Sequence, residues 1–551
     1  MSESWHDYQI MWNRLTSVVE EQAATMIRTA FSTSVREAGD LSAGLFDRWA
    51  RMIAQAVTGT PGHVNSMAES VRHFVREIGE RNIFEGDVYL TNDPWKGTGH
   101  LHDFTAVTPV FRNGGLIGFF ACTAHVIDIG GRGFGPDAAE VFEEGLLVPI
   151  CKFAERGVIN PLLISIIRGN TRTPDQTVGD LYSLAACNEA GNRRLQRMMD
   201  EFGLENIDSL ADHIVDTSNR ATRKAISALP DGVYRNRMTV DGYESPVTMC
   251  IELTVAGDNL LVDFTGTSGM SAFGVNVPEV YTRAYSGFAL KCAISPDIPN
   301  NAGSLEPFEI LVPPGCILAA ERPAPVSVRH VLGHFLPDVV LGALHLALPG
   351  RIPAEGASAL WNVQISVRAT GSDSPSAEIL MFNSGGTGAR PELDGLSATA
   401  FPSGVSTMSV EATEQVGPIT VWRKELLQDS GGPGRTRGGL GQIMEIEASP
   451  GYRFWFNAMF DRVGCPARGR DGGGPGGKGI VRIADGEDLC SKGRQAVPVG
   501  KRLQLCLPGG GGWGNPSQRH PDAVRADIEA GYVSAGSAAE IYGYSETETD
   551  Q

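Results

Sequence analysis

The sequence predicts an α+β fold, compact and interdigitated, with several subdomains, mixed or antiparallel sheets and helical segments between them. Three observations predict it. Apolar residues recur at three- and four-residue spacing over 7–35 and again over 161–229. Strand-like runs joined by the turn Arg112-Asn113-Gly114-Gly115 occupy much of 88–129. From about 363 to 507, short apolar runs alternate with glycine-rich turns, and 67 of the 551 residues are glycine against a usual ~7%.

The elements follow in order. The stretch 7–35 reads as a helix through Ile10, Leu15, Val18, Val19, Ala23, Met26, Ile27 and Ala30. A second helix over 64–78 sets Met67, Val71, Phe74 and Ile78 on one face. Strands are expected at 88–90, 105–111 and 116–129, the last two as a hairpin. Helices at 175–199 and 207–229, antiparallel strands over 233–266, and buried helices at 280–293 and 330–348 complete the first two thirds. Glycine runs such as 431–434 and 509–512 read as loops. Residues 472–479 approach a phosphate-binding loop, but Gly479 stands where Ser or Thr would hold magnesium and Pro475 interrupts the run, so a surface turn is expected. The polar end 546–551 reads as frayed. No long linker or repeat divides the chain. Soft boundaries give 1–230 with helices and the hairpin, 231–360 as a central α+β region, 361–515 as a β-rich region, and 516–551 as a tail.

Composition excludes several classes. Lys+Arg 46 against Asp+Glu 64 gives −18, a poor match to nucleic acid or anionic membranes. The nine cysteines are odd in number and show no CxxC pair, which argues against a disulfide framework and for a reducing compartment. The start, Met1 to Asp7, lacks the basic and apolar regions of a signal peptide. No uninterrupted apolar run reaches the ~18 residues that span a bilayer. A cytoplasmic protein handling small molecules or protein partners is expected.

The chemistry concentrates around three of only 11 histidines. His100 and His102 lie in the segment 92–103, and His125 lies near the end of the following strand. Asp103 opens one strand of the hairpin, so antiparallel pairing brings Asp103 and His125 to the same end, and His100 precedes Asp103 by three. Such a set fits a divalent metal site short of one ligand, with two surface loop histidines and a half-buried strand histidine as the alternative that spacing alone favours.

At this point the sequence resembles the hydantoinase B/oxoprolinase family. Asn92-Asp93-Pro94 with Gly99-His100-Leu101-His102-Asp103, and His125-Val126-Ile127-Asp128-Ile129-Gly130-Gly131, carry the resemblance most strongly. Further matching blocks include 36–42, Pro61-Gly62-His63-Val64-Asn65-Ser66-Met67, 170–174, 263–268, 296–300, 385–391 and 429–441. The match runs from about residue 8 to 513. The resemblance implies a metal held by Asp40, His100, Asp103 and His125, with Asp40 as the added ligand. Zinc is the first choice, with manganese or iron as alternatives.

The family has Pro where this chain has His102, which is expected to face solvent, the alternatives being a donor near the metal or an acid/base. Asp128 could orient a ligating ring or cap the chain. Gly131 and Gly133 could line a substrate pocket or hinge a lid, or form a plain turn. Arg283 and Arg390 are candidate anchors for an anionic group, with surface ion pairing as the alternative. Cys122 reads as a packed strand residue.

The implied function is the metal-dependent subunit of an ATP-linked cyclic-amide hydrolase acting on a hydantoin, an oxoproline or a lactam. The partner it implies is a hydantoinase A-type subunit that binds ATP and magnesium, in a hetero-oligomer. An ATP-dependent ketone carboxylase and a non-catalytic scaffold subunit are the rival readings.

Overall fold

In the computed structural model, which describes residues 5–57, 60–372 and 375–545, the first third of the chain is built on a seven-stranded antiparallel sheet. The expected frayed end 546–551 and the first four residues lie outside the described residues. The strands are β1 (Leu41–Asp47), β2 (Met52–Gln55), β3 (Val88–Thr91), β4 (Asp103–Arg112), β5 (Gly115–His125), β6 (Cys151–Glu155) and β7 (Val158–Ile159). Their order across the sheet is β2-β1-β5-β4-β3-β6-β7.

The β4–β5 hairpin turns through Asn113 (φ 50) and Gly114 (φ 80), a left-handed pair that matches strand twist. Alternation along β5 then sorts the core. Phe120 and Cys122 face the helices Trp5–Thr29 and Pro174–Phe202. Phe119 and Ala121 join Met67, Val71 and Phe74 of helix Pro61–Ile78 on the opposite face. Cys122 is fully buried, the packed strand residue expected.

The fold is α+β, and its cores interleave along the chain. A second cluster joins Ala38, Ile127 and Phe134 to the strands Gly232–Val240, Val247–Ala256 and Asn259–Asp263 and to helices Glu279–Ile294 and Leu336–Ala347. A third fills the space between two four-stranded sheets made from 363–507. Two short helices, Pro521–Glu529 and Ala535–Tyr542, follow, tied back by Arg519, which pairs with Asp394 at 2.7 Å and Asp527 at 2.7 Å.

The structure departs from two expectations. The helix at 330–348 is two pieces, His330–Gly333 and Leu336–Ala347, because Pro337 has no N–H to continue the ladder. By length and composition alone His330–Ala347 is apolar enough to cross a membrane, with a mean hydropathy of 1.2, yet 83% of it is buried within the protein. The glycine segments are irregular, as expected, and Gly472, Pro475 and Lys478 do reach the surface, but the runs pack against one another inside the protein rather than standing apart as surface loops. The runs 385–395, 431–441, 469–479 and 508–512 lie side by side, main chain against main chain. Gly432 N–H donates to Gly510 O at 2.8 Å, Gly510 N–H to Gly439 O at 3.0 Å, and Gly512 N–H to Gly474 O at 2.9 Å. Gly476 and Gly479 are buried within this bundle. A side chain would separate the strands, so glycine here permits close approach.

Candidate metal centre

The centre forms where β4 starts and β5 ends. Asp103 and His125 are register partners directly across the ladder. The loop before β4 is pinned by Asn92, whose Nδ2 donates to Leu101 O at 2.8 Å and Leu146 O at 2.9 Å. Gly99 (φ 99) is required in that loop, because a Cβ there would meet the Arg329 side chain at 2.6 Å. Asp40 is brought in by the main chain: His125 N–H donates to Asp40 O at 3.2 Å.

His100, Asp103 and His125 are all buried, and one ligand atom from each lies within 4.8 Å of the others. Asp103 divides its two oxygens. Oδ2 accepts from Thr98 Oγ1 at 2.6 Å and from the Arg329 guanidinium at 2.6 Å, and His63 Nε2 lies 3.0 Å away. Oδ1 has no hydrogen-bond donor. His100 Nδ1 is 2.8 Å from Ser327 O, an acceptor, so the ring proton sits on Nδ1. His100 Nε2 therefore directs a lone pair at Asp103 Oδ1, 2.8 Å away. Two buried acceptors face each other with nothing between them, which a cation resolves. Both nitrogens of His125 and of His102 are also buried without partners.

Electrostatics favour the ligating forms of Asp103, His102 and His125, whereas burial raises the Asp40 carboxyl above the usual carboxylate range. Burial alone would raise Asp103, but His100, His63 and Arg329 hold its carboxyl well below the usual carboxylate range. Burial, reinforced by neighbouring histidines, pushes His102 and His125 well below the usual imidazole value. Neutral imidazole and ionised carboxylate are the states that bind metal. Two ring nitrogens and a carboxylate suit zinc, manganese or iron. Asp40 lines the cavity that His100 and His125 also line, and its Oδ1 lies 3.1 Å from Thr60 Oγ1, but it is not among the three residues whose ligand atoms converge. The cavity holds about 20 Å³, room for an ion and a water but not for a ring substrate.

His102 does not face solvent as expected. Val126 N–H donates to His102 O at 2.9 Å, extending the ladder past the strand ends, and this folds the ring inside. It is 0% exposed and stacks on His125 with ring centroids 5.4 Å apart. Asp128 has no histidine among its hydrogen-bond partners. It pairs with Arg172 at 2.6 Å and accepts from Gly130 N–H at 3.1 Å. Arg283 forks onto Glu279 Oε1 at 2.8 and 2.6 Å on an exposed helix face, and Arg390 donates to Asp394 O at 2.9 Å beside the glycine bundle. None of Gly131, Gly133, Arg283 and Arg390 lines the metal cavity.

Sequence reasoning missed several residues that do line it. His63, Tyr281, Arg329, His330, His334 and Asn362 form part of its remaining wall. Arg329 lies over the Tyr281 ring at 4.1 Å, and His330 stacks on Phe134 at 5.5 Å. Histidine scarcity was the available signal: six of the 11 histidines converge here.

A pH-sensitive strut lies behind the cavity, against Ser327, whose carbonyl holds His100. Glu144 Oε1 accepts Val326 N–H at 2.5 Å and Ser327 N–H at 2.7 Å, while Oε2 is buried without a partner. Burial pushes its pKa up to about 8. The fold therefore prefers the protonated acid, whose stabilising effect is complete below pH ~4.5 and is lost as pH rises towards about 8. Relative to Glu144→Gln, the melting temperature of the natural chain should fall between pH 5 and 8. Parallel pH profiles for the two proteins would exclude this role.

Fold and site together define an α+β protein with a buried His–Asp cluster, suited to a divalent ion, at the end of an antiparallel hairpin. The chain belongs to the hydantoinase B/oxoprolinase family, whose model matches residues 6–516. It is 28% identical to caprolactamase subunit beta of Pseudomonas jessenii, over 96% of this chain and 94% of that protein. It is 29% identical to 5-oxoprolinase 1 of Arabidopsis thaliana, over 91% of this chain but only 41% of that longer protein. The crystal structure of ATP-dependent caprolactamase from Pseudomonas jessenii superposes with a TM-score of 0.88 and 25% identity, covering 98% of this chain and 96% of the other.

Proposed function

We propose that this chain is the metal-bearing catalytic subunit of an ATP-linked cyclic-amide hydrolase, with an ATP-binding partner subunit that activates the amide. The observation that carries the reading is the pair of facing acceptors, His100 Nε2 and Asp103 Oδ1, beside the unpartnered nitrogens of His125. The family and the amide hydrolases related to the chain support it.

His100, Asp103 and His125, with Asp40, would hold one divalent ion, zinc by preference. When bound, such an ion supplies a Lewis acid for the amide carbonyl and a nucleophile available at neutral pH. The chain's own residues supply the rest. Arg329 and Thr98 fix the orientation of Asp103 through Oδ2. Asn362 Oδ1 is buried without a donor at the cavity wall and can accept a hydrogen bond from a water held beside the ion. Phe134, Leu360, Phe382 and Val405 exclude water around the reacting group.

The test is the chain purified with its ATP-binding partner and offered hydantoin, 5-oxoproline and caprolactam. Ring opening of at least one, coupled to ADP formation and lost in His125→Ala, is expected. Bicarbonate-dependent carboxylation of a ketone instead would transfer the chain to the carboxylases. ATP-driven turnover indifferent to His125→Ala would make it a scaffold.

A further inference from the structure

Behind Phe134 lies a second cavity of about 60 Å³, walled by the loop after β5 and by one face of the sheet whose central strands are Val363–Ala369 and Tyr452–Met459. Four arginines border it: Arg132, Arg172, Arg368 and Arg494. Two of them are committed. Arg172 pairs with Asp128 at 2.6 Å and Arg132 with Glu143 at 2.7 Å. The other two form no ion pair among the described residues. Arg368 keeps its Nε buried with no hydrogen-bond partner, and its guanidinium lies 5.2 Å from the Trp455 ring centre. Arg494 lies over the same ring at 5.9 Å. The remaining acid in the wall, Glu378, is occupied by Ser366 Oγ at 2.7 Å and Gln364 Nε2 at 3.0 Å.

The carboxylates of Asp128 and Glu143 go to Arg172 and Arg132, which leaves the guanidiniums of Arg368 and Arg494 without a carboxylate partner among the described residues. An unpaired, half-buried guanidinium is costly unless an anion meets it. Guanidinium forks match the paired oxygens of phosphoryl and carboxylate groups. Phe134 is the shared wall: its ring also lies 4.9 to 5.8 Å from the rings of His100, His102 and His125. Asn457 Nδ2 anchors the Phe134 carbonyl at 2.7 Å, and Gly133 (φ 81) lies beside it.

We propose that this arginine-lined cavity is an oxyanion-binding site, which holds the phosphoryl or carboxylate group of a small molecule one aromatic ring away from the metal cavity. The inference stands on these residues and does not need the cyclic-amide reading, since binding is measured without turnover. The volume admits one such group and not a nucleotide.

The experiment titrates inorganic phosphate and, separately, acetate into the purified full chain by calorimetry at low ionic strength. Saturable binding of one anion per chain is expected for at least one of the two probes. The probe that binds tells a phosphoryl site from a carboxylate site. Arg368→Gln and the exposed Arg494→Gln should each weaken binding about tenfold or more. Arg502→Gln, whose guanidinium sits over Trp422 on another sheet, should not. The bound anion should also raise the melting temperature of the natural chain and not that of the two cavity variants. Absence of saturable binding for both probes overturns the proposal. So does binding that survives in both Arg368→Gln and Arg494→Gln, which would place the anion elsewhere, the metal ion included.

Discussion

His125→Ala is expected to empty the metal centre, taking the bound divalent ion from about one per chain to near zero while the protein stays folded. His125 is the cleanest position to cut. Its two nitrogens have no hydrogen-bond partner, so nothing else is left unsatisfied when they are removed. Loss of residues that merely orient ligands costs ~10–100-fold in metal affinity, and loss of a ligand costs more. Asp103→Asn would remove metal as well, but it leaves the Arg329 guanidinium buried opposite a neutral amide. Breaking such a buried pair costs ~3–5 kcal/mol. Metal analysis with a melting curve separates the two effects. A His125→Ala protein that retains its ion would remove the basis for the centre.

Gly510→Ala should have the largest effect on stability. A Cβ at this position would sit 1.9 Å from Thr387 O and 2.3 Å from its carbonyl carbon. These are main-chain atoms, themselves hydrogen-bonded to neighbouring glycine strands, and they have no rotamer into which to retreat. Overpacking of ordinary cores costs ~1–3 kcal/mol because side chains shift. Here strands must separate, so the cost should exceed that range, and the variant should be poorly soluble or melt far below the natural protein. Gly500→Ala is the comparison. It has φ 72 but no atom within 4 Å of the added carbon, so only backbone strain of ~1–2 kcal/mol is expected. Equal melting temperatures for the two variants would refute the glycine bundle as a packed core.

Much of the metal centre was legible because its parts are local. His100 and Asp103 are one loop apart, and a two-residue turn sets the register that puts Asp103 opposite His125. The helix Pro61–Ile78 was legible from its apolar stripe, yet the same stripe says nothing of His63, which points from its first turn into the cavity. His102 was misread because a polar residue in a loop usually meets water. Only the closing of the sheet end over it makes it interior. The glycines were misread for a related reason. Glycine marks turns when its freedom of φ is used, but Gly510 and Gly438 serve by lacking a side chain, a role visible only once the opposing strands are in place.

What the sequence by itself determined is the α+β class, the hairpin and its register, the His100–Asp103–His125 set and the family. All of these follow from short-range pattern or from ordered blocks along one chain. What only the tertiary structure decided is the company those ligands keep. Arg329, 226 residues away from Asp103, donates to one carboxylate oxygen while the other stays without a donor. His330 and Asn362 arrive from still later elements, and an arginine cavity gathers residues from 132 to 494. Such meetings are set by how apolar faces pack against each other. That packing energy is collective and non-directional, so no local stretch of sequence records which distant side chain it will deliver.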